Sequence, residues 1–168
     1  KVRELLEEER CRLEHDERRY QELVTRGADA LSLYDREIAH GGNDEMARAS
    51  ALALVGFSQG TMLALHAGLR RAVPPFAIVG FSGLLVVPPD ANAEKFAAEI
   101  KSRPPVLLVH GDQDDLIPAQ ALFQASSGLA SLGVPVEWHL SQGIGHGIDQ
   151  EGLRHGGEFL ARRLSAAR

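Results

Sequence analysis

From residue 51 onward, short apolar runs alternate with helical segments, and this alternation limits the fold more than any other feature of the chain. ALALVGF at 51–57, PFAIVGFSG at 75–83, PPVLLVHG at 104–111 and VPVEWHLS at 134–141 read as strands. The segments from Gln59 to Arg71, 91–102, Ala119 to Leu132 and Gln150 to Ala167 read as helices. Strands that are apolar throughout must be covered on both faces, so the pattern predicts an α/β fold around a parallel sheet. Right-handed crossovers then set the winding. Pro74, Pro75, Pro104, Pro105 and Pro135 fall just before strands, where a missing N–H breaks no ladder.

Residues 1–26 are different. KVRELLEEERCRLEHDERRYQELVTR is more than half charged, with both signs mixed. Leu6, Leu13 and Tyr20 recur every seven residues and predict a long helix with a thin apolar stripe. Glu9 and Asp16 interrupt that stripe and weigh against a long zipper. The expected organisation is a charged helical arm over 1–26 and a single catalytic portion over 27–168, which includes a second helix at 27–39.

A formal net charge of −5 argues against a nucleic-acid partner, which calls for a basic face. No apolar run is long enough to span a membrane, and the N-terminus has no signal-peptide core. The single cysteine, Cys11, excludes an internal disulfide and fits a reducing cytoplasm, the expected location.

The sharpest chemical signal is Gly56-Phe57-Ser58-Gln59-Gly60. It follows a strand and opens a helix, the context of a G-x-S-x-G nucleophile elbow. Such an elbow holds the serine on a strained turn with Oγ above the sheet. Side chains two residues either side are expected to collide with neighbouring strands, so Gly56 and Gly60 are both read as obligatory. The Gln59 N–H, at the helix N-terminus, is placed to donate to a developing oxyanion. A serine needs a base, and the base needs an orienting carboxylate, in the chain order Ser, acid, His. The strand at 104–111 runs into Asp112-Gln113-Asp114-Asp115, and the next leads to Gly143-Ile144-Gly145-His146-Gly147. Both segments follow strand C-termini, the active edge of an open parallel sheet.

Ser82, in Gly80-Phe81-Ser82-Gly83, is a weaker candidate because no glycine follows two residues later and no helix begins there. It reads as a hydroxyl at a strand end. His15, His40, His66, His139 and His155 read as ordinary arm, loop, helix or strand residues, and His110 as a residue that shapes its loop. With no H-E-x-x-H motif and no cysteine pair, no metal site is expected. The glycines at 143, 145 and 147 lack the Lys-Ser/Thr ending of a phosphate loop and read as a flexible hinge for His146, so no cofactor is implied.

These segments resemble the bacterial phospholipase/carboxylesterase family of α/β-hydrolases, relatives of the acyl-protein thioesterases. LALVGFSQGTMLALH is similar to that family's elbow strand and helix, VGFSG to its following strand, and GGEFLARRL to its last helix. RPPVLLVHGDQDDLIP is similar to the H-G-x-x-D-x-x-(V/I)-P segment, which implies Asp114 as the triad acid. GIGHGID implies His146 as the base. The resemblance implies an α/β-hydrolase fold, an acyl-serine intermediate at Ser58, a small ester or thioester as substrate, and no cofactor.

The family carries several strands and an H-G-x-G-type oxyanion turn before the elbow. Here the first 50 residues read as helix and loop, so the chain is expected to lack those strands. His40-Gly41-Gly42 follows no apolar strand and reads as a helix-ending turn. An exposed strand edge then predicts a homo-oligomer, formed through that edge or the helical arm. The same feature predicts weak activity and supports a competing reading, an impaired hydrolase remnant serving as an assembly module. A dienelactone-hydrolase-like enzyme is disfavoured, since that group uses cysteine as nucleophile.

Overall fold

A computed structural model describes residues 52–87 and 93–166. Each expected apolar run contains a strand, and each expected helical segment contains a helix. In chain order these are β1 (Ala53–Phe57), α1 (Gln59–Arg70), β2 (Ala77–Phe81), α2 (Ala93–Glu99), β3 (Val106–Gly111), α3 (Gln120–Ser131), β4 (Val136–Ser141) and α4 (Gln150–Ala166). The charged arm, the helix at 27–39 and the His40-Gly41-Gly42 turn lie outside the described residues.

The strands form one parallel sheet in the order β1-β2-β3-β4. β2, β3 and β4 begin after prolines, two of which serve the sheet as acceptors. Ile78 N–H donates to the Pro105 carbonyl at 2.9 Å, and Val106 N–H to that of Pro135 at 2.8 Å. A proline has no N–H to lose there, so it starts a strand without breaking the ladder.

Alternation along β2 and β3 splits the core in two. Ile78, Val106 and Leu108 point to one face and pack with Leu65 and Leu69 of α1, Phe96 of α2, and Leu122 and Leu129 of α3. Ala77, Val79, Phe81, Leu107 and Val109 point to the other and pack against Phe159 of α4. All of β2 and β3 is buried, as a strand covered on both faces requires. Burying residues of this size contributes about 1.5–3 kcal/mol per large apolar side chain.

Among the described residues β1 has one strand neighbour, β2. Val55 and Phe57 pair in register with Val79 and Phe81, yet they keep 59% and 42% exposure where their partners are buried. No described helix is long and apolar enough to cross a membrane.

Candidate active site

Three loops leave the C-terminal ends of β1, β3 and β4, and the parallel topology brings them to one edge of the sheet. The loop after β1 is the sharpest. Ser58 takes φ 53 and ψ −118, a conformation that costs a non-glycine residue about 1–3 kcal/mol. The turn is held on both sides: Ser58 N–H donates to the Phe81 carbonyl at 2.8 Å, and Thr61 N–H donates back to the Ser58 carbonyl at 3.0 Å. Thr61 Oγ1 lies 2.9 Å from the Gly56 carbonyl and 2.8 Å from that of Phe81, so one buried hydroxyl clamps the ends of both strands.

The two elbow glycines are not equivalent. A Cβ on Gly56 would lie 2.3 Å from the Gly60 backbone, so only glycine fits. A Cβ on Gly60 meets no described atom within 4 Å. The expected collision with neighbouring strands is found at neither position: Gly56 is closed by the start of α1, and Gly60 is the obstacle rather than the obstructed group.

Ser58 Oγ lies 3.0 Å from His146 Nε2, and His146 Nδ1 lies 2.8 Å from Asp114 Oδ2. A carboxylate only accepts, so Nδ1 carries the proton and Nε2 offers its lone pair to the Ser58 hydroxyl. The Asp114 side chain is fully sealed, whereas His146 keeps 18% of its side chain exposed. That difference leaves the imidazole open to an incoming group and shields the carboxylate from water. The Phe57 ring packs against the imidazole at 5.1 Å between centroids.

Three hydrogen bonds converge on the Asp114 carboxylate. Oδ1 accepts from Leu116 N–H at 3.0 Å and Ile117 N–H at 2.8 Å. Oδ2 accepts from His146 and lies 3.2 Å from His110 Nε2, which also reaches the Ile117 carbonyl at 2.8 Å. Burial pushes the Asp114 carboxyl up, but the Ile117 N–H, the His146 ring and the Leu116 N–H together hold it below its ordinary value.

The neighbouring aspartates are exposed and take no part in this line. Asp112 instead accepts from Gly143 N–H through Oδ1 at 2.7 Å and so ties the loop after β3 to the loop after β4. Gln113 N–H donates to the Ile144 carbonyl at 2.9 Å. A Cβ on Gly111 would lie 2.1 Å from that same carbonyl, so the close approach of the two loops requires glycine there. Ser82 Oγ donates to the Gly147 carbonyl at 2.9 Å, next to His146. The His146 loop read as a hinge is thus tied at Gly143, Ile144 and Gly147.

Gln59 is the first residue of α1, so its N–H precedes the first intrahelical bond and stands beside Ser58 at the positive end of the helix. Thr61, Ser82 and the His110–Asp114 contact are the functional features that sequence reasoning misses or gives only as loop shaping. A buried hydroxyl leaves no periodic signal, and its partners are set by tertiary contacts.

The phospholipase/carboxylesterase family model matches residues 12–164. The chain is 30% identical over 122 residues to acyl-protein thioesterase 1 of Gibberella zeae, covering 67% of this chain and 48% of that protein. It is 30% identical over 139 residues to a probable carboxylesterase SOBER1-like of Arabidopsis thaliana, covering 81% of this chain and 49% of that one. The chain spans about half the length of these curated relatives. The crystal structure of esterase PE8 superposes with a TM-score of 0.62 at 47% identity, covering 68% of this chain and 51% of that one. Arabidopsis thaliana SOBER1 superposes with a TM-score of 0.70 at 24% identity, covering 84% and 64%, a likeness of fold alone.

Proposed function

The chain belongs to the phospholipase/carboxylesterase family, and from that premise we propose that it hydrolyses carboxylic esters or thioesters through an acyl-serine at Ser58. The observation that carries this reading is the unbroken line from Ser58 Oγ to His146 Nε2 at 3.0 Å and from His146 Nδ1 to Asp114 Oδ2 at 2.8 Å. Such a line is what an otherwise unreactive hydroxyl needs to become a nucleophile.

In the first half-reaction Ser58 Oγ attacks the acyl carbon while its proton passes to His146 Nε2. The carbonyl electron pair moves to oxygen, where the Gln59 N–H and the N-terminus of α1 receive the developing charge. The pair returns, the bond to the leaving group breaks, and the imidazolium gives that group the proton. Water then repeats the sequence against the acyl-serine, with His146 again as base, and releases the carboxylic acid. Asp114 holds the Nδ1 proton in place and offsets the imidazolium charge throughout.

Support for an ester or thioester substrate comes from relatives described as esterases, carboxylesterases and acyl-protein thioesterases. Among the described residues one backbone donor, Gln59 N–H, stands beside Ser58. The expected lack of a second oxyanion donor costs about 10²–10³ in rate. The chain is therefore expected to turn over an activated ester, p-nitrophenyl acetate, slowly, and ethyl acetate barely at all. Turnover of both at equal rates would contradict this.

Ser82 is assigned a bracing role, not a nucleophilic one. Its Oγ is committed to Gly147, and the residue is 1% exposed. Ser82→Ala is expected to lower stability by about 1 kcal/mol, the net worth of one hydrogen bond. It is expected to slow turnover by less than about tenfold, by that same energy. Urea denaturation and initial rates on the same preparation check both numbers. A loss as deep as that of a Ser58 variant would overturn the assignment.

A further inference from the structure

A second cluster of chemically able side chains lies away from Ser58, where α4 crosses the last strand. His139 projects from β4, while Glu151 and His155 are four residues apart on α4 and so share one helix face. Each offers one ligand atom, and these atoms all lie within 4.8 Å of one another. The two imidazoles stack with centroids 4.1 Å apart and planes tilted by 32°. His155 Nε2 is 3.8 Å from Glu151 Oε1.

The observation that singles out this cluster is His139 Nε2. It is buried and has no hydrogen-bond partner among the described residues. A buried polar atom left unpaired costs free energy that a native site normally avoids. A lone pair on that nitrogen takes a donor or a cation, a proton on it takes an acceptor, and the nearby groups on α4 offer a carboxylate and a second imidazole.

We propose that His139, Glu151 and His155 form a binding site for a divalent transition-metal ion, with zinc the best match. Two imidazole nitrogens and one carboxylate oxygen suit zinc, with water filling a fourth position. Calcium and magnesium call for oxygen ligands and suit the set poorly. Tetrahedral zinc at about 2.0–2.1 Å from its ligands places them about 3.3 Å apart. Ligand atoms up to 4.8 Å apart must close to that spacing and the stacked rings must splay so that each lone pair faces the ion, while Glu151, with 59% of its side chain exposed, has room to move. Arg154 Nη2 lies 3.3 Å from His155 Nε2 and 3.6 Å from Glu151 Oε1 and competes with the ion for both, but Arg154 Nη1 is also paired with Glu158 at 2.9 Å. Arg154 can turn wholly to Glu158 when the cation arrives. Asp149, at the start of α4, adds negative charge near His139. The ion would join α4 to β4 as a clip, remote from Ser58, and needs no catalytic role.

The sequence pattern passes over this set because its members come from two elements and match no short metal motif. The test uses the full chain titrated with zinc chloride by calorimetry, with thermal unfolding at each zinc level. One ion per chain is expected, with a melting temperature that rises with zinc and not with magnesium. His139→Ala and His155→Ala are each expected to weaken binding by at least about tenfold, the lower bound for losing an atom that matters to a metal site. His155 is partly exposed on α4, so its variant remains informative should His139→Ala fail to fold. Absence of zinc binding in the parent chain would overturn the proposal. So would a His155→Ala variant that binds zinc as the parent does, which would place the ion on other ligands such as Cys11 or His146.

Discussion

Ser58→Ala is expected to remove ester hydrolysis down to the background rate, a loss of up to about 10⁶ in kcat. The size of the effect follows from the reaction itself. Without Oγ there is no acyl-enzyme, and His146 has no hydroxyl to deprotonate. The fold is expected to stay intact. Among the described residues Ser58 Oγ has one hydrogen-bond partner, the His146 ring, while the turn is held by backbone bonds and by Thr61, none of which needs the Ser58 side chain. Circular dichroism and the melting temperature of the variant should match those of the parent. A variant that keeps a tenth or more of the parent rate would place the nucleophile elsewhere.

Asp114→Asn is expected to lower kcat by about 10⁴, with a far smaller change in KM. The asparagine can turn its NH₂ toward His146 and favour the tautomer with its proton on Nε2. That tautomer cannot accept the Ser58 proton. If the carbonyl faces His146 instead, the NH₂ meets the Leu116 and Ile117 N–H groups, which now lose their acceptor. Either arrangement is poor, and the side chain at position 114 is sealed from water that would supply the lost partner. Asp112→Asn is milder, because an amide oxygen still accepts from Gly143 N–H. Asp115→Asn changes an exposed group and is expected to be nearly silent. Steady-state kinetics on the three variants rank the carboxylates. A larger kcat loss for Asp112→Asn than for Asp114→Asn would show that the loop has been read in the wrong register.

Much of this architecture is legible in the residues alone. The runs around Val55, Val79, Leu108 and Trp138 form four parallel strands in order, because an uninterrupted apolar run between helices has few other places to go. Ser58 is legible because its turn needs glycine at Gly56, where any Cβ meets the Gly60 backbone. Gly60 marks a limit: symmetry of the motif suggests a symmetric cause, and the obstruction runs one way only. Asp114 stands out from three aspartates by family resemblance, since charge and spacing alone treat Asp112, Asp114 and Asp115 alike.

The supporting contacts are not legible. Thr61, Ser82 and His110 each hold a partner more than three residues away in sequence, and nothing in local composition names that partner. Among the described residues β1 pairs with β2 alone and Val55 and Phe57 stay exposed, while the expected lack of strands before it falls outside the described residues. The arm at 1–26 and the oligomer expected from it lie beyond what the described residues address.

Covalent labelling tests the central claim most directly. The full chain is treated with a fluorophosphonate, digested, and mapped by mass spectrometry. One adduct is expected, on the peptide carrying Gly56-Phe57-Ser58-Gln59-Gly60 and on Ser58 itself. Its formation should be abolished in Ser58→Ala, slowed by orders of magnitude in His146→Ala, and largely preserved in Ser82→Ala. An adduct on Ser82, or ester hydrolysis that continues with Ser58 unlabelled under excess probe, would contradict the account.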